Sequence, residues 1–184
     1  MKSLRFVLSV VLILPSTVAF AQSDAQKSSV APVPSEAQKS FATMKSLAGE
    51  WEGSVTTVPQ AAEVESKVAR FSLRVTSMGN ALVHELSIAG RRDHPVTLFY
   101  LDGDRLLLTH YCDAGNRPRM VSKVSPDGKT LEFDFLDLSG GNQYGHMHHA
   151  VFTVIDANHH YEDWTWMDPG DKPTHAHFDL KRAQ

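Results

Sequence analysis

Apolar and polar residues alternate with a period of two along much of the chain. Between Val68 and Val75, Phe71, Leu73 and Val75 stand against Arg70, Ser72 and Arg74. Between Thr130 and Phe135, Leu131, Phe133 and Phe135 stand against Thr130, Glu132 and Asp134. A period of two is that of a strand with one buried face. Turn chemistry separates such runs at Met78-Gly79-Asn80, Ala89-Gly90-Arg91, Asp102-Gly103-Asp104 and Gly115-Asn116-Arg117-Pro118. It recurs at Ser125-Pro126-Asp127-Gly128, Ser139-Gly140-Gly141-Asn142, Asp156-Ala157-Asn158 and Asp168-Pro169-Gly170. This spacing predicts about ten strands joined mostly by hairpins. No stretch between them is long enough for the helical crossover that a parallel sheet requires. Closure removes exposed strand edges, and sequential hairpins favour a meander over a Greek key. The expected fold is therefore all-β, an antiparallel up-and-down barrel of about ten strands.

One segment has a helical period instead. Ser35-x-x-Gln38 has capping-box spacing, Phe41, Met44 and Leu47 fall on one face, and Gly49 is placed to supply a left-handed C-terminal turn. A helix of about three turns cannot form a core alone, so it is expected to cover the barrel. Before it, residues 22–34 are small and polar with two prolines, the composition of a disordered linker. Residues 1–21 have the order of a secretory signal: Lys2 and Arg5, then an apolar run from Phe6 to Pro15, then Ala19-Phe20-Ala21. The run is too short for a hydrocarbon core that needs roughly 20 residues. Cleavage near Ala21 and a periplasmic or secreted location are expected, with residues 35–184 forming the barrel domain.

Composition narrows the function classes. The 184 residues carry a formal charge of −3, and removal of the leader leaves 16 basic against 21 acidic residues, or −5. Nothing in that balance suits nucleic acid. No membrane association is expected once the leader is gone. The single cysteine, Cys112, has no intramolecular partner; it follows the apolar run Leu106-Leu107-Leu108, which favours burial.

The stretch Leu47-Ala48-Gly49-Glu50-Trp51-Glu52-Gly53, where a short helix runs into Gly-x-Trp-x-Gly at the start of the first strand, resembles the opening of the calycin barrels, which include lipocalins, fatty-acid-binding proteins and nitrobindin-like proteins. Tyr100 to Asp104, Leu108 to Cys112 and Gly115 to Met120 are similar to an uncharacterised family of exported lipocalin-like bacterial proteins. The resemblance implies a closed barrel with Trp51 packed at its base and an interior that holds a ligand. The ending Pro173-Thr174-His175-Ala176-His177-Phe178-Asp179-Leu180-Lys181 resembles the last strand of nitrobindin-like haem proteins, which implies His175 as an axial haem ligand.

Seven of the ten histidines fall between His146 and His177. In His146-x-His148 and His175-x-His177 both imidazoles lie on one strand face, roughly 6.6 Å apart, a spacing used to chelate zinc or copper. His110 shares the alternating face of Leu106, Leu108 and Cys112 and adds a third nitrogen. The alternative for the last pair is exposure, because Ala176, Phe178 and Leu180 form the apolar set of that strand. His84-Glu85 begins like HExxH, but Ile88 occupies the position of the second histidine. Glu162-x-Trp164-x-Trp166 places a carboxylate and two tryptophans on one face, either lining a pocket or packed beneath the helix. Arg119 stands at a strand end as an anion contact or as a solvated charge.

Three readings follow in order. The first is an exported barrel binding a small, partly apolar molecule, with His110, Arg119, His146, His148, Trp164 and Trp166 as ligand contacts. The second is a zinc, copper or haem protein using His146, His148, His175 and His177, although no cofactor is the leading expectation. The third is an enzyme with a histidine general base, placed last because the sequence pairs no such base with an orienting carboxylate or a nucleophile. No catalytic residue is assigned.

Overall fold

The computed structural model describes residues 33–124 and 128–184. The expected leader, the linker up to residue 32 and the turn at Ser125-Pro126-Asp127 lie outside the described residues.

The helix α1 (Glu36–Ser46) starts where the capping box places it. Gln38 N donates to Ser35 Oγ at 3.2 Å, and Ser35 N donates to Gln38 Oε1 at 2.8 Å. Its end differs from the expectation. Leu47, in right-handed helical conformation, is the C-cap, and Gly49 opens the first strand instead. Gly49 has φ 140°, and the Arg182 side chain occupies the space that a Cβ would need.

Ten strands follow: β1 (Gly49–Val58), β2 (Val68–Thr76), β3 (Ala81–Ile88), β4 (Val96–Asp102) and β5 (Arg105–Tyr111), then β6 (Arg117–Val124), β7 (Thr130–Ser139), β8 (His146–Asp156), β9 (His159–Met167) and β10 (Pro173–Arg182). Each lies antiparallel beside its neighbours in sequence, and β10 pairs with β1 to close the barrel. The seam runs from Trp51 opposite Arg182 to Val58 opposite His175. Gly53 lies within it, where any side chain would meet the backbone of Asp179.

The alternating apolar set fills one end of the interior. Trp51, Phe71, Phe99, Phe133 and Phe152 are buried there, with Phe41, Met44 and Leu47 of α1 in the same cluster. Burial stabilises such side chains by roughly 1.5–3 kcal/mol each, which explains why so short a helix stays docked. Trp51 locks the junction: its Nε1 donates to Leu47 O at 2.8 Å, and the Arg182 guanidinium lies 4.2 Å from its ring centroid. The opposite end carries the β1–β2, β3–β4, β5–β6, β7–β8 and β9–β10 loops and is not filled.

Candidate ligand-binding site

A cavity of about 390 Å³ occupies the half of the interior away from α1. Val55, Leu86, Trp164 and Phe178 form apolar walls, and His84, Thr97 and His110 are among the polar residues lining it. Trp166 and Ala176 lie higher, and Glu63, Arg91, Asp93, Cys112 and Asp113 come from the strand ends and loops around the opening.

Alternation explains each interior position. In β3 the inward set is Leu82, His84, Leu86 and Ile88, and in β5 it is Leu106, Leu108 and His110. In β9 it is His160, Glu162, Trp164 and Trp166. Four polar groups thus stand at positions where this fold normally places apolar residues.

The β9 residues meet His84 below the cavity. Glu162 is fully buried and its carboxylate is the hub. His84 Nε2 lies 3.2 Å from Oε1 and 3.0 Å from Oε2, His160 Nε2 lies 3.1 Å from Oε1, and Trp164 Nε1 donates to Oε2 at 3.0 Å. Trp51 closes the column beneath, edge-on to His160 with centroids 4.2 Å apart. Burial pushes the Glu162 carboxyl upward, but His84 and His160 outweigh it and hold the group at about 2. The carboxylate is therefore ionised and well supplied with donors. Among the described residues, Nδ1 of His84 and Nδ1 of His160 are buried without a hydrogen-bond partner.

His110 forms a second polar group. It is 5% exposed, and its Nδ1 lies 2.8 Å from the hydroxyl of Thr97, the residue directly across the β4–β5 ladder. Burial, with His84 as a second cause, pushes its imidazole down to about 3, so the ring is neutral. Trp164 contacts both histidines, its ring centroid 5.4 Å from His110 and 5.9 Å from His84.

Of the residues expected to contact a ligand, His110, Trp164 and Trp166 line the cavity and Arg119, His146 and His148 do not. Arg119 is bound to Asp137 through two hydrogen bonds away from the cavity. A β-bulge between Met147 and His149 explains the other two. Strict alternation would put His146 and His148 on the face of Ala150 and Phe152; the extra residue shifts the parity, and Met147 lines the wall instead. His146 Nε2 lies 3.1 Å from His148 Nδ1, His146 Nδ1 lies 2.9 Å from Asn142 Oδ1, and both rings pack on Phe135. Burial, then His148, pushes the His146 imidazole down.

His175 and His177 are exposed, in the orientation that the apolar set of β10 dictates. His175 Nδ1 pairs with Thr165 Oγ1 at 3.0 Å and His177 Nδ1 with Asp163 Oδ1 at 2.7 Å. The four histidines therefore do not form one metal site. A haem inside the barrel does not fit His175 as its axial ligand, because that side chain points away from the interior. Among the described residues, one group of three side chains brings possible ligand atoms within 4.8 Å of one another: Glu132, Asp134 and His149. There Asp134 is already paired with Lys123.

Cys112, expected to be buried, is half-buried at the cavity opening, where burial is the main cause of a thiol pushed up to about 11. Searching for histidine pairs misses His84, His160 and the hub role of Glu162. Their signal was a polar residue at an apolar position: His84 between Leu82 and Leu86, and Glu162 two residues before Trp164.

No protein-family model matches the chain, and no curated protein matches it. Solved structures do. Rv2717c from M. tuberculosis aligns with a TM-score of 0.57 at 12% identity, over 79% of this chain and 98% of that one. A protein of unknown function of the DUF3598 family from Nostoc punctiforme PCC 73102 aligns with a TM-score of 0.51 at 11% identity, over 76% of this chain. The alignment spans about half, 49%, of the length of that Nostoc protein. At these identities the likeness is one of fold, a β-barrel.

Proposed function

We propose that this chain is an exported, lipocalin-like barrel that holds one small, partly apolar molecule in the unfilled half of its interior. The observation that carries the reading is the cavity of about 390 Å³, with apolar walls and the imidazole of His110, whose Nε2 has no hydrogen-bond partner among the described residues. Ligand pockets are commonly concave and mostly apolar, with a few polar groups that fix orientation. The leader-like residues 1–21 support export, and the Gly-x-Trp-x-Gly element supports the calycin comparison.

Titration with the neutral fluorescent probe N-phenyl-1-naphthylamine tests the reading. Saturable one-to-one binding is expected, and Ala176→Trp, which fills the cavity from its wall, should abolish it. Binding that survives this substitution in folded protein would place the probe elsewhere and remove the reading.

One observation favours a second reading, proton transfer. Glu162 supplies the orienting carboxylate that the sequence left unpaired: His84, which lines the cavity, is held by Nε2, and its buried Nδ1 has no hydrogen-bond partner among the described residues. The test is exchange of the methyl protons of 2-acetylnaphthalene in D2O. Acceleration that disappears in His84→Gln supports the reading, and a rate equal to that of buffer overturns it.

A further inference from the structure

The polar groups of the cavity carry enough information to name the class of molecule it accepts. The key pair is Thr97 and His110. Thr97 is fully buried, and among the described residues its hydroxyl has one side-chain partner, His110 Nδ1 at 2.8 Å. A buried hydroxyl that failed to donate would leave its proton unsatisfied at a cost of about 1–3 kcal/mol. The Thr97 hydroxyl therefore donates to Nδ1. On a neutral imidazole this assigns the ring proton to Nε2. Among the described residues His110 thus presents an N–H donor without a protein acceptor, and it lines the cavity. A molecule bound there satisfies it with an acceptor oxygen.

The same residues disfavour an anion. Among the described residues Arg91 is the only lysine or arginine lining the cavity, against the carboxylates of Glu63, Asp93 and Asp113. Its guanidinium is committed: Nε and Nη2 donate to the two oxygens of Asp93, both at 2.9 Å, and Nη2 donates to Asp113 at 3.2 Å. Any positive charge on His84 faces the ionised Glu162. A carboxylate entering this cavity would lose its hydration with no free cation to replace it, which is a severe cost. An uncharged oxygen acceptor loses far less and gains the His110 hydrogen bond.

Building on the ligand-binding reading, we propose that the cavity selects uncharged molecules with an apolar body and a carbonyl-type oxygen, and rejects the corresponding carboxylates. The body packs against Trp164 and Phe178, and the oxygen accepts from His110 Nε2.

Calorimetric titration of the full chain at pH 7 with naphthalene, 2-acetylnaphthalene and 2-naphthoate tests this. The ketone is expected to bind at least about tenfold more tightly than the carboxylate. His110→Phe should weaken the ketone by about 3–10-fold, the worth of one hydrogen bond, and leave naphthalene unchanged; His110→Asn, which keeps a donor amide, guards against misfolding of the first variant. Naphthoate binding as tightly as the ketone would overturn the selectivity and leave the ligand-binding reading standing. Ketone preference over naphthalene that survives in folded His110→Phe, or that is lost in folded His110→Asn, would also overturn it. Failure of all three compounds to bind would remove the ligand-binding reading itself and the selectivity with it.

Discussion

His84 and Glu162, 78 positions apart in the chain, meet inside the barrel with the imidazole Nε2 3.0 Å from one carboxylate oxygen and 3.2 Å from the other. Both side chains are almost completely excluded from solvent. Breaking a buried pair by removing one partner is far more costly than replacing both, because the survivor keeps its desolvation without its compensation. Glu162→Leu is expected to lower unfolding stability by about 3–5 kcal/mol. Adding His84→Phe and His160→Phe should recover much of the loss, since, of the groups around Glu162, Trp164 Nε1 alone then remains without its acceptor. Urea denaturation of the two variants checks this. A triple variant less stable than Glu162→Leu would show that packing, not polar satisfaction, dominates the column.

Acid should destabilise the fold in two steps. His110 is neutral when folded, with its imidazole pushed to about 3 from an ordinary 6.5, so below pH 6.5 the unfolded chain binds the proton first. Its contribution is complete above 6.5 and is lost as the pH falls toward 3. Glu162 is depressed to about 2 from 4.5, so its contribution is complete above 4.5 and is lost between 4.5 and 2. Urea midpoints of the wild type and His110→Gln, measured from pH 8 to pH 4, isolate the first step as the difference between the two curves. The wild type should lose more stability between pH 6.5 and 4.5, and parallel curves would refute the assignment.

Arg119, expected as a ligand contact, and His175 and His177, expected as metal ligands, should be dispensable for binding. Arg119 and Asp137 pair in solvent, and His175 and His177 are exposed on β10. Exposed pairs and exposed imidazoles contribute little to stability. Arg119→Ala and the double variant His175→Ala/His177→Ala are expected to leave N-phenyl-1-naphthylamine affinity unchanged within about twofold, against the strong loss in Ala176→Trp. Equal loss in the double variant would mean that β10 binds the probe on its outer surface.

The period-two pattern made the architecture legible, because a sheet with one buried face writes its geometry into side-chain polarity: Phe71 and Leu73, or Leu131 and Phe133, are buried as their alternation requires. Ser35 and Gln38 were legible for the same local reason, since a capping box joins residues three apart. The site was legible only in part. His110, Trp164 and Trp166 occupy positions fixed by regular alternation, whereas the single extra residue between Met147 and His149 reverses parity without any mark in the sequence. The meeting of β3 with β9 across the barrel depends on closure, so the partnership of His84 and Glu162 lies beyond any local pattern.

Gly53 tests the closure itself. It stands in β1 opposite Leu180 of β10, and a Cβ there would run into the carbonyl of Asp179. The obstacle is backbone, which cannot swing aside as a flexible side chain can, so relief requires the two strands to separate at the seam. Overpacking of this kind typically costs about 1–3 kcal/mol. Gly53→Ala should lower the urea midpoint accordingly, and Gly53→Val should do so more strongly despite its higher strand propensity. Amide hydrogen exchange should locate the damage, with protection falling at Val55 and Phe178 on the seam while Leu108 and Met120, on the β5–β6 pair, keep theirs. Uniform loss across all strands would show that the barrel opens globally and that the seam is no weaker than the rest.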